Sequence, residues 1–129
     1  MQTLPITLIS ASILGLMFVW LSARVIALRV SNQVGIGDEG HNDLLYRIRT
    51  HANFTEYVPI FLILLALLEF MGGAQTILGI LAAVFIGARL LHVPGMGENA
   101  NIMFRQAGII GSFTCIVGAS LYGLYIALM

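Results

Sequence analysis

Three polar side chains, Arg49, Asn53 and Glu56, share one face of a predicted helix. Residues at i, i+4 and i+7 align along an α-helix, and Tyr46 lies about one turn earlier on the same side. A guanidinium, a carboxamide and a carboxylate in line can bind a ligand that carries carboxylates, amides and an ammonium group. The alternative is an internal Arg49–Glu56 ion pair with no ligand, and the spacing alone favours neither.

Further cationic residues follow later in the chain. Arg89 and His92 are three residues apart and share a helix face, and Arg105 begins the next helix across a short loop. From spacing alone we favour a structural role for Arg89 and Arg105, because arginines at membrane helix ends extend toward the headgroups and set topology. Arg24 is expected to extend in the same way. His51 lies opposite Asn53, so we expect it to make a structural hydrogen bond.

The elements that position these residues are predicted to be membrane helices. Hydrophobic residues make up 59% of the 129 residues and charged residues only 9%, whereas soluble domains carry about 25% charged residues. A helix crosses the hydrocarbon with about 20 apolar residues. We therefore predict an all-α membrane protein, a bundle of four transmembrane helices in a single domain over residues 1–129. The apolar runs are residues 4–28, 57–71, 74–91 and 107–129.

The second predicted helix differs from the others because its apolar run is too short to span. To cross the bilayer it must extend back to Asp43, through the segment that carries Arg49, Asn53 and Glu56. Such residues are costly against lipid, so they should face protein, a cavity or the headgroups. Glycine and proline separate the helices at residues 31–42, 72–73 and 94–99.

The arginines predict the orientation of the bundle. All six border the loops between helices 1 and 2 and between helices 3 and 4, which lie on the same side. The positive-inside rule makes this side cytoplasmic, with both termini on the opposite side. Glu69 alone among the acidic residues falls near the opposite surface, where we expect it to face the headgroups. Polar residues confined to the cytoplasmic half indicate a binding pocket rather than a pore.

Small residues recur every four positions on two helices, which favours close helix packing. They are Gly79, Ala83 and Gly87 on helix 3, and Gly111, Cys115, Ala119 and Gly123 on helix 4. We favour packing within one subunit for both sets, with a subunit interface as the alternative.

Composition also argues against several classes of function. The net charge is zero, so nothing indicates nucleic-acid binding. A single cysteine and three scattered histidines give no metal-ligand spacing, so no metal site is predicted. The first apolar run exceeds the ~7–15 residues of a signal peptide core and follows no positive residue, which argues against a signal peptide. A small multidrug exporter ranks low, because helix 1 lacks the carboxylate that such exporters use.

The polar segment of helix 2 resembles the signature of a known family. Residues 49–56, followed by Tyr57, Val58 and Pro59, resemble helix 2 of the MAPEG family, the membrane-associated proteins in eicosanoid and glutathione metabolism. Residues 87–92 resemble its helix 3 motif, and Arg105 resembles the arginine that begins helix 4. The resemblance covers nearly the whole chain in order. It implies four-helix subunits that assemble as homotrimers and contact membrane lipid.

The resemblance also implies a site for glutathione, a co-substrate held between neighbouring subunits near the cytoplasmic face. Arg105 would lie by the sulfur, where a guanidinium lowers the pKa of a thiol. The guanidinium of an arginine can donate two parallel hydrogen bonds to a carboxylate, so arginines suit the carboxylates of glutathione. Glu56 would bind its ammonium group. Of the two arginines in the second half of helix 1, we prefer Arg29 over Arg24 as the glutathione-binding residue. The implied binding residues are Arg29, Arg49, Asn53, Glu56, Arg89 and His92.

Departures from the eicosanoid-forming members narrow the expected function. Ala52 replaces an arginine, and Met96 and Ile109 replace tyrosines. The chain therefore looks more like the bacterial branch than like an eicosanoid synthase. The expected function is that of a glutathione transferase- or peroxidase-like protein of the bacterial inner membrane, acting on hydrophobic electrophiles or lipid peroxides. The alternative is a non-catalytic lipid-binding protein similar to five-lipoxygenase-activating protein.

Overall fold

Four long helices make up most of the chain in a computed structural model that describes residues 3–129. They are α1 Pro5–Asn32, α2 Asn42–Phe70, α3 Gln75–His92 and α4 Ile102–Leu128. Each is long and apolar enough to cross a membrane, and residues 3–129 contain no strand. The predicted all-α four-helix membrane fold is therefore confirmed. The first two residues of the predicted domain lie outside the described part.

The polar extension of the second helix is present as expected. Helix α2 begins at Asn42 and runs without interruption through the polar segment into the apolar run. Helix α4 begins earlier than its apolar run suggested, at Ile102 rather than at residue 107. The side chain of Asn101 caps it by accepting the Met103 N–H at 2.9 Å. Arg105 consequently lies in the first turn of α4.

Aromatic and leucine side chains fill the centre of the bundle. Phe61 of α2 and Phe85 of α3 stack with ring centroids 3.8 Å apart, and both are fully buried. Leu14 of α1 and Leu65 and Leu78 of the neighbouring helices complete this core. The helices therefore meet along continuous apolar faces. These contacts determine which polar residues of each helix remain at the surface.

Helices α3 and α4 pack closely through the small residues of α4. A Cβ atom added to Gly108 would lie 2.6 Å from the His92 Cβ, and one added to Gly111 would lie 2.9 Å from the Ala88 Cβ. Cys115 and Ala119 are buried on the same face. For α4, packing within the subunit is confirmed.

The small residues of α3 face outward instead. Ala83 and Gly87 are exposed, and a Cβ atom at Gly79 or Gly87 would meet no other described atom within 4 Å. The expectation of packing within the subunit is therefore wrong for α3. The physical reason is that α3 turns a different face, which includes Leu78 and Phe85, toward the core.

Glu69 is buried rather than exposed to headgroups, so the sequence expectation is wrong here too. Its carboxylate accepts the backbone N–H groups of Ile6 at 3.0 Å and Thr7 at 2.8 Å. The first amides of a helix have no partner within the helix, and Leu4 offers no side-chain cap to α1. Glu69 supplies the missing acceptors and joins α2 to the start of α1.

Candidate functional site

A polar pocket of about 400 Å³ opens between α2, the first turns of α4 and the loop that joins α3 to α4. Its volume lies within the range of small-molecule sites, about 300–1,000 Å³. It brings together three residues that the sequence singled out, Arg49, Asn53 and Arg105. The residues lining this polar pocket are Asn42, Leu45, Tyr46, Arg49, Asn53, Met96, Glu98, Arg105 and Ile109.

One wall of the polar pocket is the polar face of α2. Tyr46, Arg49 and Asn53 lie on it in helical register. The Asn53 amide nitrogen donates to the Arg49 carbonyl oxygen at 3.1 Å, which holds the amide against its own helix. Within residues 3–129 no arginine nitrogen lies within 4 Å of a carboxylate oxygen. The internal Arg49–Glu56 ion pair is therefore not formed within the chain.

The opposite wall is held in place by a close backbone approach. Gly95, which is buried, lies directly against the backbone of Arg105, and a Cβ atom at this position would collide with the Arg105 nitrogen. Only glycine fits there without a shift of the loop. This contact positions the loop residues Met96 and Glu98 beside Arg105 at the rim of the polar pocket. Sequence reasoning placed Glu98 on the arginine side but did not assign it to the site.

Glu56 lies outside the polar pocket. It is exposed on α2, about one helical turn beyond Asn53 toward the apolar run. A carboxylate that faces lipid within a membrane helix carries a free-energy cost of a few kcal/mol. This part of α2 therefore presents an uncovered polar surface on the single chain.

Neither arginine of α1 lines the polar pocket of its own chain. The Arg29 guanidinium donates to the carbonyl oxygens of Gly37 at 2.9 Å and Gly35 at 3.4 Å, which braces the loop between α1 and α2. The Arg24 guanidinium lies 5.0 Å from the centroid of the Trp20 ring. Both arginines nevertheless lie near the cytoplasmic ends that the sequence predicts.

Arg89 and His92 lie in the interior of the bundle, each only 2% exposed. Extension of Arg89 to the headgroups, favoured from spacing, is therefore wrong. The Arg89 Nη2 donates to the Gly108 carbonyl oxygen at 2.8 Å, and its guanidinium lies 5.7 Å from the Tyr57 ring centroid. Among the described residues, Arg89 Nε and His92 Nε2 have no hydrogen-bond partner.

The hydrogen bond from Arg89 helps to fix one wall of the polar pocket. Gly108 follows Arg105 by three residues, so the Arg89–Gly108 bond ties the first turns of α4 to the end of α3. His92 also packs against Gly108. Arg89 and His92 therefore support the wall that carries Arg105 without lining the polar pocket themselves.

His51 has the structural role that the sequence predicted. Its Nε2 lies 2.9 Å from the Ser22 hydroxyl oxygen of α1, and its ring lies 5.1 Å from that of Phe18. This contact fastens α2 to α1 on the side away from the polar pocket. In residues 3–129, no group of three or more histidine, cysteine or acidic side chains is arranged so that it could hold a metal ion.

Together, these features describe a four-span α-helical membrane protein with a polar pocket at one end that is lined by two arginines. The chain belongs to the MAPEG family, whose family model matches residues 7–125. This confirms the family that helix 2 indicated.

Two curated relatives are bacterial. The chain is 28% identical over 103 residues to the inner membrane protein YecN of Escherichia coli K12, which covers 80% of this chain and 78% of the relative. YecN of Escherichia coli O6:H1 gives the same values. No solved structure matches the chain at a significant level. The relatives agree with the bacterial branch that the departures at Ala52, Met96 and Ile109 indicated.

Proposed function

We propose that this protein is a membrane-bound glutathione transferase- or peroxidase-like enzyme with its active site at the polar pocket. One observation carries the proposal. Arg49 and Asn53 of α2 share a single pocket with Arg105 of α4, although these residues are far apart in the sequence. They are three of the residues that the family resemblance implies for glutathione.

The chemistry follows from the charges of the polar pocket. Arg49 binds a carboxylate of the tripeptide, since a guanidinium matches a carboxylate fork. Arg105 lies by the sulfur and lowers the pKa of the bound thiol, which increases the thiolate fraction at neutral pH. In the transferase reaction the thiolate sulfur forms a bond to an electrophilic carbon, and the bond from that carbon to its leaving group breaks, so that a chloroarene releases chloride. In the peroxidase reaction two glutathione molecules reduce a lipid peroxide to an alcohol and water, and they leave as a disulfide.

The remaining implied residues take two kinds of role in this proposal. Glu56 and Arg29 act at the boundary with a neighbouring subunit of a homotrimer, which covers the polar surface of α2 and the outward small residues of α3. Arg89 and His92 are positioning residues, because they hold α4 through Gly108 rather than line the polar pocket. Native mass spectrometry in mild detergent tests the assembly, and only monomers or dimers would contradict it.

Location within the cell follows from the arginines and from the relatives. The relatives are inner membrane proteins of Escherichia coli, and we place this protein in a bacterial inner membrane as well. All six arginines border the two loops at the end that carries the polar pocket. On the positive-inside rule, we therefore propose that the polar pocket lies at the cytoplasmic face. Hydrophobic substrates reach it from the surrounding bilayer.

A second candidate function is lipid binding without catalysis. An apolar groove of about 520 Å³ lies between the ends of α2 and α4, away from the polar pocket. Leu67, Leu68, Met71, Leu124 and Ile126 are among its lining residues. Such a surface suits an acyl chain and needs no thiol.

The two candidates are separated by titrating the detergent-purified protein with glutathione in a calorimeter and assaying turnover of a hydrophobic chloroarene. Saturable binding together with conjugate formation supports the enzyme. Binding without turnover supports the lipid-binding protein. Absence of glutathione binding contradicts the proposed function.

A further inference from the structure

A second cationic surface lies outside the polar pocket, where α1 meets the end of α3. An open groove of about 520 Å³ lies there, and we call it the α1–α3 groove. Its lining residues are Trp20, Arg24, Leu90, Val93, Pro94 and Met96. We propose that the α1–α3 groove binds the phosphate headgroup of an anionic membrane phospholipid, such as phosphatidylglycerol. Met96 is the single lining residue that it shares with the polar pocket, so this inference does not rest on the proposed function.

The cation of the α1–α3 groove is held in place by an aromatic ring. The Arg24 guanidinium lies over the Trp20 ring, 5.0 Å from its centroid. The negative face of the ring attracts a cation placed in this way. Trp20 precedes Arg24 by four residues, so both side chains lie on one face of α1. The positive charge therefore has a defined position at the edge of the groove.

Arg47 of α2 brings a second positive charge beside the first. Its Nη1 donates to the Arg24 carbonyl oxygen at 3.0 Å, and the two guanidiniums are close enough for their charges to repel each other. Among residues 3–129, no carboxylate oxygen lies within 4 Å of a nitrogen of either arginine. An anion from outside the chain would therefore relieve this repulsion.

The position of Arg24 along α1 matches the headgroup boundary of a bilayer. Helix α1 has 28 residues, which gives about 42 Å, close to the ~40–45 Å of a bilayer with its headgroups. Arg24 lies eight residues before the last residue, Asn32, and therefore about 12 Å from that end. An unpaired cation at this depth is costly. Basic pockets between membrane helices on the cytoplasmic side bind anionic headgroups, and Leu90 and Val93 offer an apolar surface to the acyl chain.

The direction of the α1–α3 groove separates it from the subunit boundary that we propose at Arg29. Arg29 follows Arg24 by five residues, so the two side chains point about 140° apart around α1. Trp20 and Arg24 therefore face away from the neighbour that Arg29 would contact. The surrounding lipid, rather than that neighbour, is the source of the anion.

The test uses Trp20 as its own reporter, because it is the single tryptophan of the chain. The full-length protein is reconstituted into phosphatidylcholine vesicles, in which part of the lipid is replaced by brominated phosphatidylglycerol or brominated phosphatidylcholine. Bromine quenches tryptophan fluorescence on contact, so the quenching curves give the relative affinity of the groove for each headgroup. The variants are Arg24→Gln and Arg24→Lys. Arg29→Gln is the matched control, because it removes an arginine of the same helix whose guanidinium binds loop carbonyls instead.

We expect phosphatidylglycerol to quench wild type at a lower lipid fraction than phosphatidylcholine. Arg24→Gln should weaken phosphatidylglycerol binding about fivefold, as for the loss of one basic residue at an anionic surface. Arg24→Lys should keep most of the preference and Arg29→Gln all of it. If Arg24→Gln does not fold, Arg47→Gln should show a loss in the same direction, and an unchanged preference there overturns the inference.

Three other outcomes also overturn the inference. Equal quenching of wild type by both lipids would show that the groove does not recognise the headgroup. An equal loss in Arg24→Gln and Arg29→Gln would show that the attraction belongs to the whole charged surface. Absence of quenching by either lipid would show that a neighbouring subunit covers the groove.

Discussion

The two ends of the bundle use carboxylates in opposite ways. At the end where α2 turns into α3, Glu69 is only 4% exposed and both of its oxygens accept backbone N–H groups of α1. At the other end, Glu56 and Glu98 are exposed, and neither lies within 4 Å of an arginine nitrogen among residues 3–129. A carboxylate whose oxygens are satisfied inside the chain stabilises the fold, whereas one without a partner is available to a ligand or a neighbouring subunit.

The largest expected effect concerns Arg105 at the pocket end. In the proposed site, replacement by leucine removes the cation beside the glutathione sulfur, so we expect the pKa of the bound thiol to rise. A rise of two to three units lowers the thiolate fraction near neutrality by about 100- to 1000-fold. Arg105→Leu should therefore reduce turnover far more than glutathione affinity, and activity should recover in part at higher pH.

Steady-state kinetics across a range of pH checks this prediction, with Arg105→Lys as the control variant that keeps a cation. Full turnover in Arg105→Leu would make Arg105 an interfacial anchor only.

The next effect tests the opposite end. Glu69→Ala leaves the Ile6 and Thr7 amides without their acceptor, and we expect it to lower the free energy of unfolding by about 2–3 kcal/mol. Glutathione affinity of the folded fraction should not change, because Glu69 is remote from the polar pocket. Unfolding in mixed micelles measures the first quantity and calorimetry the second. Unchanged stability would mean that the cap contributes nothing, and reduced affinity would show that the two ends are coupled.

The third prediction concerns Arg49. Its replacement should cost a free energy of glutathione binding comparable to the free energy of unfolding that Glu69→Ala loses. Arg49→Ala should weaken glutathione binding about 10- to 100-fold, as for a hydrogen bond to a charged group, and should leave the proposed trimer intact. Arg47 is the matched control, since its Nη1 donates to the Arg24 carbonyl oxygen and it does not line the polar pocket. Equal affinities of Arg49→Ala and wild type in a folded trimer would exclude Arg49 from the site. Loss of assembly would indicate a structural ion pair across subunits.

The orientation of the protein in the membrane can be tested without substituting any residue of the polar pocket. Because all six arginines border the pocket end, a reporter fused after Met129 should be active outside the cytoplasm. A reporter that is active only in the cytoplasm would reverse the orientation and place the polar pocket on the far side.

The sequence predicted the position of each residue along its helix better than the direction in which its side chain points around the helix axis. Hydropathy located the four spans, and helical spacing put Arg49 and Asn53 on one face, which the polar pocket uses. The burial of Glu69 and Arg89 was missed because it depends on which neighbouring helix each side chain meets. Glu69 reaches the start of α1 some sixty residues away in the chain, and no local pattern indicates such a contact.

The small residues illustrate the same limit. The stripes on α3 and α4 have the same spacing, yet only the α4 stripe packs inside the subunit. Spacing identifies a face that permits close approach, but the apolar residues on the rest of the helix decide whether that face turns inward. Glu98 was missed for a related reason, since its position depends on the contact between Gly95 and Arg105 rather than on periodicity.

Binding of glutathione as a thiolate in the polar pocket can be tested directly by the ultraviolet difference spectrum of the purified protein with glutathione near neutral pH. We expect a thiolate absorbance that saturates with glutathione in wild type and is lost in Arg105→Leu at saturating glutathione. Saturable binding of glutathione with no thiolate absorbance in wild type would contradict it and favour the lipid-binding protein.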